Sequence, residues 1–268
     1  TPHGESAGPT WNQQEAAEMT FEELIRDGWA RHDTATEDLA ADLESNLALV
    51  ESDPQVPHFT RLANHAIGDH LGDWERSARL VRRALADRTP SEVLEAALAD
   101  LAVAEYMAGN AIAAATAEAQ SVRVAGDPAA VTVKVKLPLA LALAAAGRLD
   151  EAATLFRSTI AIAQRSEGPN DTDRAVAVNS NNLANEILNG FERTGEQDML
   201  MLEAARAART FWARAGTWVN IERAEHLLAL VCNATRDFEA ARQHAEAGLE
   251  HNADNGDSQP VDPAYLQQ

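Results

Sequence analysis

Apolar residues recur three and four positions apart along most of this 268-residue chain, and no long run alternates β-branched with polar positions. That period belongs to amphipathic helices. The stretch Leu137 to Gln164, LPLALALAAAGRLDEAATLFRSTIAIAQ, shows it best. Leu139, Leu143 and Ala146 mark the inner face of one helix, Gly147 breaks it, and Leu149, Ala152, Phe156 and Ile160 mark the inner face of the next. Neither helix of such a hairpin can bury its apolar stripe alone, so copies stacked on one another are expected.

The rest of the chain supplies the copies. Thr20 with Glu23 predicts a capping box before Phe21, Leu24 and Trp29, and Thr34 with Glu37 predicts another before Leu39 and Leu43. A second pair is expected over His58 to Leu71 and Asp73 to Asp87, divided by Gly72. Thr89-Pro90-Ser91-Glu92 predicts the start of a third pair turning at Gly109-Asn110, and Asp127-Pro128 the start of the fourth, with Pro138 inside its first helix. Arg174 to Asn189 with Gly195 to Ala215 make a fifth, and Thr217 caps a sixth that turns at Arg236-Asp237 and ends near His251. Turns at Gly28 to Arg31, Gly72, Gly109, Gly147, Glu192 to Thr194 and Arg236 recur at irregular intervals of roughly 37 to 46 residues, which points to a solenoid. The expected organisation is a disordered segment 1–10, a helical repeat domain 11–252 and a flexible tail 253–268.

Charge and cysteine content narrow the function classes. Forty-two acidic residues against 22 basic give a formal charge of −20, whereas binding a phosphate backbone needs clustered Lys and Arg. Nucleic acid is therefore not an expected partner. The acidity reads first as a solvated surface and second as attraction for a basic partner. Cys232 is the only cysteine, so no intrachain disulfide forms, and its apolar context LLALVC predicts a buried thiol. No apolar run looks long enough to span a bilayer, and the opening TPHGESAGPT has neither the basic nor the apolar region of a secretory signal, so a cytoplasmic protein is expected.

With Leu139-Ala140, Leu143, Gly147, Ala152 and Phe156 in the fourth pair, and Leu228-Ala229, Cys232, Phe238 and Ala241 in the sixth, the chain resembles the tetratricopeptide-repeat family over most of residues 20 to 251. The first three pairs lack most of the large consensus residues. Within Thr159 to Leu188, Ile160-Ala-Ile162, Gly168-Pro169 and Asn181-Asn182-Leu183-Ala184 resemble the longer repeats of kinesin-light-chain type. The resemblance implies an all-α, right-handed α-α superhelix of about six hairpins, with the first helix of each hairpin facing a concave, peptide-binding surface.

On those leading helices, Asn181, Asn182, Asn185 and Asn189 share one face, since steps of three, four and seven return to the same side. An amide both donates and accepts, so such a ladder can pair with the main chain of an extended ligand; the other reading has the amides bonding neighbouring helices. By the alignment, Lys134, Arg223 and His226 flank the ladder, and Asp100 and Tyr106 come from the third pair. Lys134 or Arg223 would take a ligand carboxylate, or else form salt bridges such as Arg223 with Glu222 or Glu225. His65 and Asp69, four apart, are candidates to chelate a metal with His58 as a third ligand. His70, five from His65, should swing away on an α-helix, and no HExxH pattern occurs, so the expected site holds no metal and no cofactor. Trp29, Trp74, Trp212 and Trp218 read as packing at hairpin ends. No nucleophile elbow or phosphate-cradling loop is present. The expectation is a non-catalytic scaffold that captures an extended segment of a partner protein, with a ligand-sensing module as the alternative.

Overall fold

The computed structural model describes residues 19–165, 172–190 and 192–255. The expected disordered segment 1–10, the Gly168-Pro169 phrase and the tail beyond 255 lie outside the described residues. Within them every regular element is helical. In order these are α1 (Phe21–Arg31), α2 (Thr36–Ser45), α3 (Val56–Ala63), α4 (Trp74–Leu85), α5 (Glu95–Met107), α6 (Ala111–Ala125), α7 (Pro128–Ala145), α8 (Leu149–Ala163), α9 (Asp173–Leu188), α10 (Gly195–Ala215), α11 (Trp218–Ala234) and α12 (Phe238–Asn255). A π-helical turn, Asn64–His70, continues α3.

The helices pair in chain order into six hairpins. Leading helices also pack on one another down the stack, α3 on α5, α5 on α7, α7 on α9 and α9 on α11. Among the trailing helices α8 touches α10, and Arg76 of α4 reaches Glu37 and Glu44 of α2 at 2.8–3.0 Å. The architecture is the expected all-α solenoid.

Hairpin turns repeat one hydrogen-bonding device. Gly109, Gly147 and Arg236 adopt left-handed backbone (φ +83, +75 and +64°). The N–H of the following residue then returns to the carbonyl five residues earlier: Asn110 to Glu105, Arg148 to Leu143 and Asp237 to Cys232, each at 2.8 Å. This satisfies carbonyls that the end of the helix would otherwise orphan. Gly72 (φ +69°) closes the second hairpin the same way, but there Asp73 N–H reaches back six residues, to Ile67 at 3.0 Å. The π-turn thus holds one residue more than the equivalent turn elsewhere.

Two buried clusters form the core. One joins Phe21, Leu39, Phe59, Leu62 and Ile67 of the first hairpins; the other runs from Ala99 through Phe156 to Phe211 and Val231. Leu101 on α5 packs against both. Leu139, Leu143, Ala152 and Phe156 of the repeat-like fourth hairpin are buried as expected, and so is Cys232. Phe238 in the sixth is 64% exposed, because α12 ends the stack and no further helix among the described residues covers it.

Several local expectations are corrected. Gly28 is not a turn: α1 continues to Arg31, and a Cβ at Gly28 would lie 2.6 Å from the Leu62 side chain, so this glycine serves the close approach of α1 and α3. Thr34 does not cap α2, whose N-cap is Ala35. Thr89 does not start the third pair, since a 3₁₀ turn (Glu92–Leu94) with Ser91 as N-cap precedes α5. α12 runs to Asn255, past the expected end near His251. Finally, α7 is long and apolar enough, by length and composition, to cross a membrane. Half of it is buried in the stack, where it packs against α5, α8 and α9.

Candidate functional site

α9 sits between α7 and α11 in the leading layer and buries Val176, Ala177, Ser180, Leu183, Ala184 and Ile187. Its other side carries the four predicted amides. Asn182 and Asn189 are exposed, and Asn181 and Asn185 are half-buried. Their hydrogen bonds stay within the helix: Asn185 Nδ2 donates to the Asn181 carbonyl at 2.9 Å, and Asn181 Nδ2 makes a long 3.5 Å contact with Asn182 Oδ1. Among the described residues none of the four amides bonds a neighbouring helix. Arg174, seven residues before Asn181 and exposed, falls on the same stripe, with its guanidinium 5.5 Å from the Trp212 ring centroid. The heptad step alone would have flagged it.

The flanking candidates separate into two groups. Arg223 is exposed on α11, and the suggested bridge to Glu225 does not form: Glu225 accepts from Arg209 at 2.5 Å and pairs with His244 at 2.7 Å. Lys134 is already engaged. Its Nζ lies 2.6 Å from Glu95 Oε2, while Glu95 Oε1 accepts from Ser121 at 3.2 Å, which ties α7, α5 and α6 together around a buried carboxylate. Asp100 accepts from Thr60 Oγ1 at 2.7 Å, and its backbone carbonyl accepts from Asn64 Nδ2 at 2.8 Å. Burial pushes the Asp100 carboxyl up to about 6, partly opposed by the Thr60 hydroxyl.

Tyr106 and His226 do not join the stripe. Six residues from Asp100, Tyr106 falls on another side of α5 and lines a cleft of about 390 Å³ with Leu143, Asp150, Thr154 and Leu155, under the Arg148 guanidinium at 5.8 Å. His226 is buried, and burial lowers its pKa. Next to Arg223, Glu222 is fully buried and burial pushes its carboxyl up.

The histidine region departs furthest from expectation. His65 Nδ1 lies 3.2 Å from Asp69 Oδ2, as their four-residue spacing implies. His70 does not swing away: in the π-turn an i, i+5 pair stacks, and His70 Nε2 lies 3.2 Å from His65 Nε2. His32, the C-cap of α1, completes the group, with ring centroids 4.9 Å from His65 and 5.3 Å from His70. Trp29 covers one flank, 5.2 Å from His65. His58, the expected third ligand, is exposed and not part of this group. Desolvation, then the neighbouring His65 and His32, holds the His70 pKa below the usual histidine value.

No family model matches the chain, and no curated protein matches it. Among solved structures it is similar to BtubC (BKLC) from P. vanneervenii, at 17% identity and a TM-score of 0.44, covering 88% of this chain and 92% of that one. It is also similar to the apo form of the quorum sensor NprR from B. thuringiensis, at 11% identity and a TM-score of 0.40, covering 91% of this chain and 72% of that one.

Proposed function

We propose that the protein is a non-catalytic binding scaffold whose leading-helix face captures an extended segment of a partner protein, with the α9 amides reading the main chain. The observation that supports it is the state of those amides: four Asn side chains on the open side of α9, none committed to a neighbouring helix among the described residues. Asn is a poor interior helix residue, so four in nine positions carry a cost in helix propensity that packing does not explain. A strand-like peptide laid across them would find donors and acceptors at main-chain spacing, with Arg174 and Arg223 at its margins to take carboxylates.

The test is affinity capture from a native lysate with the wild-type chain and the Asn182→Ala/Asn185→Ala variant side by side. The proposal expects capture to weaken while the melting temperature stays within a few degrees. Unchanged capture removes the amides from the binding face, and collapse of the variant assigns them to the fold.

A further inference from the structure

The extra residue in the π-turn has a chemical result. On an α-helix, positions five apart diverge; the i→i+5 register of Asn64–His70 brings the imidazoles of His65 and His70 edge to face, 4.6 Å between centroids. A π-turn is less favourable than a continued α-helix and is found disproportionately at functional sites. Here tertiary contacts hold it open. Asn64, at its start, donates to the Asp100 carbonyl and accepts from Ser77 Oγ at 2.7 Å, which pins the turn between α5 and α4.

Hydrogen-bond partners fix which nitrogen of two of the rings is available. His32 Nδ1 lies 2.7 Å from the Trp29 carbonyl oxygen. A carbonyl only accepts, so Nδ1 carries the proton and Nε2 keeps its lone pair. His65 Nδ1 faces the Asp69 carboxylate at 3.2 Å, which by the same reasoning leaves His65 Nε2 with a lone pair. His65 Nε2 in turn faces His70 Nε2. One ligand atom from each ring lies within 4.8 Å of the others.

We propose that His32, His65 and His70 form a binding site for a zinc-class divalent metal ion, with Asp69 orienting His65. Zinc–imidazole bonds of about 2.0–2.1 Å at a tetrahedral angle separate ligand nitrogens by about 3.4 Å, close to the 3.2 Å found between His65 and His70. In the metal-free chain His70 Nε2–H donates to His65 Nε2; on binding, that proton moves to Nδ1 of His70 and both Nε2 lone pairs turn to the ion. The Asp69–His65 contact is the carboxylate–histidine pairing that orients metal-bound imidazoles. Three neutral nitrogens and no thiolate suit zinc and its neighbours rather than calcium or magnesium. With three protein ligands at the surface, the fourth position falls to water. The ion would clip the end of α1 to the second hairpin.

Isothermal titration of the metal-stripped full chain with Zn²⁺ tests this, with His65→Ala, His70→Ala, Asp69→Asn and His58→Ala as variants. One ion per chain is expected, with affinity at least tenfold weaker in His65→Ala and in His70→Ala and unchanged in His58→Ala. Asp69→Asn retains all three imidazoles and should weaken binding by about tenfold or more; it keeps the proposal testable should a histidine variant fail to fold. A rise in melting temperature with Zn²⁺ should accompany binding in the wild type and be absent in His65→Ala and His70→Ala. No binding, or binding unaltered by His65→Ala, His70→Ala and Asp69→Asn, would overturn the site.

Discussion

Gly68 lies directly beneath the indole of Trp74: a Cβ built on Gly68 would come within 2.5 Å of the Trp74 ring. The contact joins the π-turn to the first residue of α4. Ordinarily Gly→Ala within a helix stabilises by about 0.5–1 kcal/mol. Here the added methyl meets a rigid ring rather than the tip of a flexible chain, and the overpacking cost of about 1–3 kcal/mol dominates. Gly68→Ala should therefore lower stability in chemical denaturation and alter the near-ultraviolet dichroism of tryptophan. A stabilised variant would show that the ring moves aside freely.

Asp100 gives the fold a pH dependence with a definite sign. Its carboxyl is pushed from 3.8 up to about 6, chiefly by burial, with Arg61 opposing that and Glu95 and Asp69 adding to it. A raised carboxyl pKa means the folded chain holds the proton more tightly than the unfolded chain. The residue's contribution is therefore most favourable below about pH 4 and is lost as pH rises to about 6. Asp100→Asn keeps an acceptor for Thr60 and removes the charge. It should stabilise the protein at pH 7 by about 1–3 kcal/mol relative to its effect at pH 4, as measured by urea unfolding at the two values.

The Lys134–Glu95 pair tests whether that lysine serves the fold or a ligand. Glu95 is buried, and among the described residues Lys134 and Ser121 are the partners of its carboxylate. Lys134→Met would leave the carboxylate buried without its cation, at a cost of about 1–3 kcal/mol given the partial exposure of the lysine. Adding Glu95→Gln to Lys134→Met should recover much of the loss, because the uncompensated charge goes with it. Thermal melts of the two single variants and the double variant read this out.

The hairpins were legible in the sequence because their signals are local. Gly109 and Gly147 mark left-handed turns, Asp127 caps α7 by accepting from Ala129 and Ala130, and the buried positions of α7 and α8 follow the apolar stripe. What escaped depends on partners far away in the chain. Gly28 has the composition of a turn, yet it lies inside α1, and the close approach of Leu62 is what requires a residue without a Cβ there. The π-turn is set by Asn64 reaching Asp100 and Ser77, which no periodicity in residues 58–71 announces. For that reason α-helical spacing turns His70 away from His65, and nothing local in the sequence links either to His32, about one repeat earlier. The shared face of the α9 amides was legible because a helical face is a local property; the tie of Lys134 to Glu95, 39 residues away, was not.

The central claim, that the α9 amides bind a peptide main chain, is tested most directly by the dissociation constant of a captured partner segment for wild-type and Asn182→Ala/Asn185→Ala chains, measured by fluorescence anisotropy. Two amide hydrogen bonds at about 1 kcal/mol each predict a constant about thirtyfold weaker in the variant, with its melting temperature within a few degrees of wild type. Equal constants for two equally stable chains would contradict it.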